Sequence, residues 1–249
     1  MAGHSKWSQI KRKKGANDVK RGQLFSKLGK EIQVAARLGG GDANLNARLR
    51  SAIAAAKAES MPNDNIERAI LKGTGELDGG NTIEELVYEG YGPEGIAILV
   101  EVFSDNKNRA AADIRSIFSK NNGNLGAPGS VAWMFERKAY FFFEKGNEEE
   151  LFEATVDAGA DDIQADDSGG VEIFAPVEAF DKVESALKET GFTPDTARLS
   201  NFPKNETELS IDAALKVLKL IETLDDHDDV QNVYSTLKFS EELLAAQEG

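Results

Sequence analysis

Near residue 80 the spacing of apolar residues changes, and no single architecture can satisfy both halves of the chain. Before that point they recur at three and four positions: Leu24, Phe25, Leu28, Ile32 and Ala35, then Leu45, Leu49, Ala52, Ile53 and Ala56, then Ile66, Ala69 and Ile70. That is the stripe of an amphipathic helix. Beyond residue 80 short apolar, β-branched runs such as Ile96-Ala97-Ile98-Leu99-Val100 are separated by turn residues, which is the habit of strands. A helical unit must therefore precede one or more units that contain sheets.

The breaks between runs give the element order. A helix is expected from about Asp18, a natural N-cap, to Leu38, where Gly39-Gly40-Gly41 stops it. A second runs from about Asn44 to Ser60, and Pro62-Asn63 restarts a third that ends near Gly73. Residues 73–80, rich in glycine, form the linker. Strands are expected at Glu84 to Tyr91 and Ile96 to Phe103, then a helix from Asn106 to Lys120. Strands at Val131 to Phe135 and Tyr140 to Phe143 and a helix from Glu148 to Ala158 follow. A hairpin joins Asp162–Ala165 to Val171–Phe174, ahead of a helix from Val177 to Thr190 and a strand from Ala197 to Phe202. From 131 to 203 the order is β-α-β-β-α-β, that of a ferredoxin-like unit. The elements on either side, closing with a helix Ile211–Leu224 and a strand Val230–Leu237, complete a second α+β unit only if taken together. The expected fold class is multi-domain α and α+β: a helical basic N-terminal domain (1–80), a middle α+β domain (81–130 with 204–249), and a ferredoxin-like domain (131–203) inserted into it.

Charge is divided along the same line. The net charge of the 249 residues is −14, yet residues 1–80 hold 15 Lys and Arg against 8 Asp and Glu, while the remainder holds 14 against 35. Within residues 1–40 the ratio is 10 to 2. A basic arm joined to an acidic body suits a polyanionic partner. The absence of cysteine excludes disulfides and thiolate chemistry, and two histidines, His4 and His227, are too few and too far apart for an imidazole metal site. No apolar run approaches the ~20 residues of a membrane-spanning helix, so a soluble, cytoplasmic protein without membrane partners is expected.

Enzyme-like patterns fail on their context. Gly90-Tyr91-Gly92-Pro93-Glu94-Gly95 matches a dinucleotide-binding spacing, but the strand-like run Ile96 to Val102 follows where a helix N-terminus would have to hold pyrophosphate. Asp225-Asp226-His227-Asp228-Asp229 lacks the spaced ligands of a calcium loop and reads as a solvated helix end. Asp161-Asp162 and Asp166-Asp167 read as a polar hairpin rim. No catalytic residue, metal or cofactor is expected.

The basic segment differs in kind. Gly3-His4-Ser5-Lys6-Trp7 sets an aromatic beside cations, and Lys11-Arg12-Lys13-Lys14 and Lys20-Arg21 follow. On the first helix Lys27 and Lys30 lie opposite the apolar stripe. Lysine and arginine neutralise phosphates and release counterions, and tryptophan can stack on a base or fold back onto the helices. The phosphate candidates are Lys6, Lys11, Arg12, Lys13, Lys14, Lys20, Arg21, Lys27 and Lys30. His4 and Trp7 are candidates for stacking or hydrogen bonding, and Arg48 and Arg50 on the second helix are secondary.

Met1-Ala2-Gly3-His4-Ser5-Lys6-Trp7 with Ile10-Lys11 resembles the N-terminal signature of the YebC/PmpR family, which includes the mitochondrial translational activators of cytochrome oxidase. Asn46-Ala47-Arg48-Leu49-Arg50, Met61-Pro62-Asn63, Tyr88 to Pro93, Asn106 to Arg109 and Gly126 to Val131 extend the resemblance across residues 1–135. Departures are Ala43 where proline is common, Glu94 where glycine is usual, and Ala110 after Arg109. The resemblance implies three domains and a non-enzymatic regulator of gene expression. Members have been described both as DNA-binding transcriptional regulators and as ribosome-associated translation factors that assist proline-rich sequences. The partner expected is nucleic acid, either promoter DNA or ribosomal RNA, with the ribosome itself a further partner under the second description. The competing class is a protein–protein adaptor, whose partner would survive nuclease treatment of a pull-down. The oligomeric state is not legible.

Overall fold

In the computed structural model, residues 18–77, 82–166 and 169–248 are described. Among these residues three helices come first: α1 (Asp18–Gly39), α2 (Ala47–Ala58) and α3 (Asn63–Thr74). Their stripes meet in one core of Ile32, Ala35, Ala36, Leu49, Ala52, Ala56, Met61, Ile66 and Ala69, with Phe25, Leu28 and Ile53 at its edge. Asn46 ties the corner. Its side-chain oxygen caps α2 at the Leu49 N–H, and its amide donates to the carbonyls of Ala35 and Gly40 at the end of α1. The chain therefore enters α2 two residues later than the apolar spacing suggests. Leu45, expected on the inner stripe, lies outside the helix and is 84% exposed.

The chain divides into two compact units. One comprises Glu136–Phe202, and the other contains the helices together with the segments on either side of that insertion. In the latter, β1 (Glu84–Tyr91) and β2 (Ala97–Ser104) form an antiparallel hairpin. It is followed by α4 (Lys107–Lys120) and the short strand β3 (Asn124–Leu125). Three elements from the far end of the chain join them: α7 (Ile211–Asp225), β8 (Val230–Ser235) and α8 (Glu241–Glu248). The sheet order is β3-β1-β2-β8. Central strand β2 is covered on both faces, which explains its unbroken apolar run. Ile98, Val100 and Val102 pack with Ile114 and Phe118 of α4 and with α7, while Ala97 and Leu99 pack with Val131, Phe135 and Tyr234.

The inserted unit contains β4 (Phe135–Phe143), α5 (Glu148–Thr155), β5 (Asp162–Ala165), β6 (Val171–Ala175), α6 (Phe180–Glu189) and β7 (Thr196–Pro203). Its strand order, β5-β6-β4-β7, is the ferredoxin-like order read in reverse. Phe141 stacks on Phe180 at 5.1 Å, and on the opposite sheet face Tyr140, Phe174 and Phe202 form a second aromatic cluster.

One expected strand is missing. Val131 to Met134 do not pair, because the carboxylate of Glu89 on β1 accepts the backbone N–H of Gly129, Val131 and Ala132 at 2.6–2.7 Å. With those donors taken, the segment turns through a single 3-10 turn and β4 starts only at Phe135. Burial would raise the Glu89 pKa, but the three N–H donors outweigh it and hold the carboxyl below its usual range.

Candidate nucleic-acid interface

Of the residues expected to contact nucleic acid, His4, Lys6, Trp7, Lys11, Arg12, Lys13 and Lys14 lie outside the described residues, as does the side chain of Lys20. The others fall into two groups. Arg21 is exposed on the first turns of α1, its guanidinium 5.4 Å above the Phe25 ring. Arg50 donates to the Ala43 carbonyl at 3.1 Å.

Lys27, Lys30 and Arg48 are engaged by this chain's own acceptors. Lys27 donates to the main-chain carbonyl of Asp225, the last residue of α7, where the helix leaves its terminal carbonyls without internal partners. Lys30 donates to the Asp228 carbonyl at 2.9 Å and to the Asp229 carboxylate at 2.6 Å. Asp229 is buried and also accepts from Ser104 at 2.8 Å and from Arg109 at 2.9 Å. Burial opposes ionisation of Asp229, but the bonds from Lys30, Arg109 and Ser104 prevail and lower its pKa to about 2. Burial likewise lowers the Lys27 pKa to about 8, against the opposing charges of Asp226 and Asp228.

The run Asp225–Asp229 ends α7 with Asp226 and Asp228 exposed, as its composition suggested, but Asp225 and Asp229 are covered. It receives the polar face of α1. His227 adds to the frame: its Nδ1 accepts the Asp229 N–H at 3.1 Å, so Nε2 carries the proton and faces Asp113 at 3.4 Å.

Arg48 bonds Glu31 at 2.8 Å and Glu85 at 3.2 Å and lies over the Phe103 ring at 5.8 Å. Burial would lower its pKa, but the two carboxylates outweigh this and raise it, so it stays a cation that holds α1, α2 and β1 together. All three residues hold structure, and a phosphate would have to displace a carboxylate or carbonyl to reach any of them.

Two cations that sequence reasoning passed over stand free of such ties. Arg68 and Lys72, one turn apart on α3, are exposed and make no ion pair among the described residues. They border a groove of about 430 Å³ between α1 and α3, floored by Phe25, Gly22 and Gly29. Their spacing of four, opposite Ile66 and Ala69, could have marked them as one outward face.

Elsewhere, Gly92 to Gly95 form a turn that leads directly into β2, so the glycine spacing meets a strand and not a helix N-terminus. No group of three or more metal-ligating side chains occurs among the described residues, and none of their helices is long and apolar enough to cross a membrane.

Residues 5–76 match the family model described as the TACO1/YebC protein N-terminal domain, and residues 83–237 match the TACO1/YebC second and third domain. The chain belongs to the TACO1/YebC family. A relative in Syntrophus aciditrophicus is 52% identical over 98% of both chains and is named a probable transcriptional regulatory protein. The relative in Geobacter sulfurreducens, 51% identical over 97% of this chain and 98% of its own, has the same description. A crystal structure of a conserved hypothetical protein from Aquifex aeolicus superposes with a TM-score of 0.83. It is 42% identical and covers 91% of this chain and 94% of its own. This TACO1/YebC chain is therefore similar to its relatives along nearly its whole length, the inserted unit included.

Proposed function

We propose that the chain is a non-enzymatic, cytoplasmic transcriptional regulator that binds DNA through residues 1–80. The observation that carries this reading is the charge division: a segment of net +7 precedes a body of net −21. The names of its relatives as probable transcriptional regulatory proteins support it. Lysines and arginines without fixed base-reading geometry position a protein on the phosphate backbone, and specificity then comes from DNA shape. The contacts proposed are Lys6, Lys11, Arg12, Lys13, Lys14, Lys20 and Arg21, with His4 and Trp7 against bases or sugars. Lys27, Lys30, Arg48 and Arg50 serve chiefly to hold the helices that present them.

Crosslinking in growing cells followed by sequencing of the bound nucleic acid tests this directly. Enrichment of promoter fragments is the expected result. Ribosomal RNA as the dominant crosslinked species would reassign the protein to translation, and a partner retained after nuclease digestion would make it an adaptor.

A further inference from the structure

We propose that the groove between α1 and α3 seats the sugar–phosphate ridge of one DNA strand, with Arg68 and Lys72 as its phosphate contacts; this rests on the nucleic-acid reading above. Charge is the first reason. In a chain of net −14, no carboxylate among the described residues lines the groove, whereas Lys30, Arg68 and Lys72 do. Lys30 spends its ammonium on Asp229, so among the described lining residues Arg68 and Lys72 are the cations available to a ligand. One helical turn apart on the same face, they can each meet a phosphate.

The floor of the groove supplies the second reason, through what it lacks. Gly22 and Gly29 lie seven residues apart inside α1, where glycine is a poor choice relative to alanine. Packing among the described residues does not demand them: a Cβ at either would meet none of their atoms within 4 Å. Gly73 on α3 is different, since a Cβ there would collide with the Gln33 carbonyl and with Ala36. Gly73 is explained by the close approach of α3 to α1. Gly22 and Gly29 are explained by the close approach of something outside the described residues. The basic arm of this chain is a poor occupant, because it would place its own lysines beside Arg68 and Lys72, whereas a phosphodiester ridge brings the complementary charge.

The test measures affinity for a DNA duplex as a function of salt, with melting temperatures alongside, on the full chain. Arg68→Ala with Lys72→Ala should flatten the log–log salt slope by about 2 units at unchanged melting temperature. Gly22→Ala with Gly29→Ala should raise the melting temperature by about 4–8 °C. Gly29→Leu should fill the floor and weaken binding about tenfold or more without an earlier melt. Better helices with poorer binding form a combination that a purely structural role for these glycines would not produce. An unchanged slope in the Arg68/Lys72 variant, with the wild type binding normally, would overturn the groove and leave the nucleic-acid reading intact. An early melt of Gly29→Leu at unchanged affinity would assign the groove to a segment of this chain and also overturn the proposal. A wild type with no affinity for nucleic acid at low salt would overturn both.

Discussion

Replacing Asp229 by Asn should cost about 2 kcal/mol at neutral pH, and the cost should disappear on acidification. The magnitude follows from the depression of its carboxyl from 3.8 to about 2, since every tenfold loss of proton affinity on folding is worth ~1.4 kcal/mol of stability. Asparagine keeps the shape and an acceptor oxygen but not the charge that Lys30 and Arg109 approach at 2.6 and 2.9 Å. The side chain is only 8% exposed, so solvent screens little at the acid itself, while the half-exposed Arg109 limits the gain. A depressed acid stabilises above its unfolded pKa of about 4, and that contribution is lost as pH falls through the folded value. Wild type and Asp229→Asn should therefore differ by about 2 kcal/mol at pH 6 and converge near pH 2. Urea unfolding followed by circular dichroism at stepped pH measures this, with an expected midpoint shift of about 1 M at pH 6. A difference that stays constant from pH 6 to pH 2 would refute the ion-pair account of this corner.

Two further carboxylates make contrasting predictions. Glu89→Gln removes the charge that gathers three N–H groups and turns an amide NH₂ toward at least one of them, so it should cost about 2–4 kcal/mol and speed hydrogen exchange across residues 126–132. Glu172, on the aromatic face of the inserted sheet, has the opposite sign: burial, aided by Asp162 and Asp166, pushes its pKa to about 7 although the Tyr140 hydroxyl donates to it at 2.9 Å. A raised acid withdraws stability as pH climbs from about 4.5 to 7, so Glu172→Gln should be more stable than wild type at pH 8 by a few kcal/mol and level with it at pH 4; an unchanged or lower melting temperature at pH 8 would count against this.

Local chemistry was legible in the sequence wherever the cause of structure was local. The period of the apolar residues marked α1 and α3, the Gly92-Pro93 turn marked the β1–β2 hairpin, and the β-α-β-β-α-β order named the ferredoxin-like sheet. What could not be read was set by distant partners. Lys30 and Asp229 are 199 positions apart, and nothing in either neighbourhood tells a solvated charge from a paired one. Val131 to Met134 have a strand's composition, and only Glu89, 42 positions before Val131, decides that their donors go elsewhere. Leu45 fits the helical spacing but precedes the Asn46 cap, so the capping bond and not the stripe sets where α2 begins. Arg68 and Lys72 are flanked by Asp64 and Glu67 in sequence, and only the folded helix turns them to a groove that no carboxylate among the described residues lines.

The central claim is that the N-terminal segment holds a polyanion through its cations, and the salt dependence of binding tests it most directly. For duplex DNA, log affinity should fall linearly with log salt at a slope of about −0.9 per neutralised phosphate. Replacing Lys11, Arg12, Lys13 and Lys14 by alanine should flatten that slope by about 3–4 units and leave the melting temperature nearly unchanged. Trp7→Ala should retain the slope and weaken binding by roughly 1–3 kcal/mol if its ring stacks on a base. A quadruple variant that binds as tightly as wild type with the same slope would contradict the account, because the charge division that motivates it would then have no part in binding.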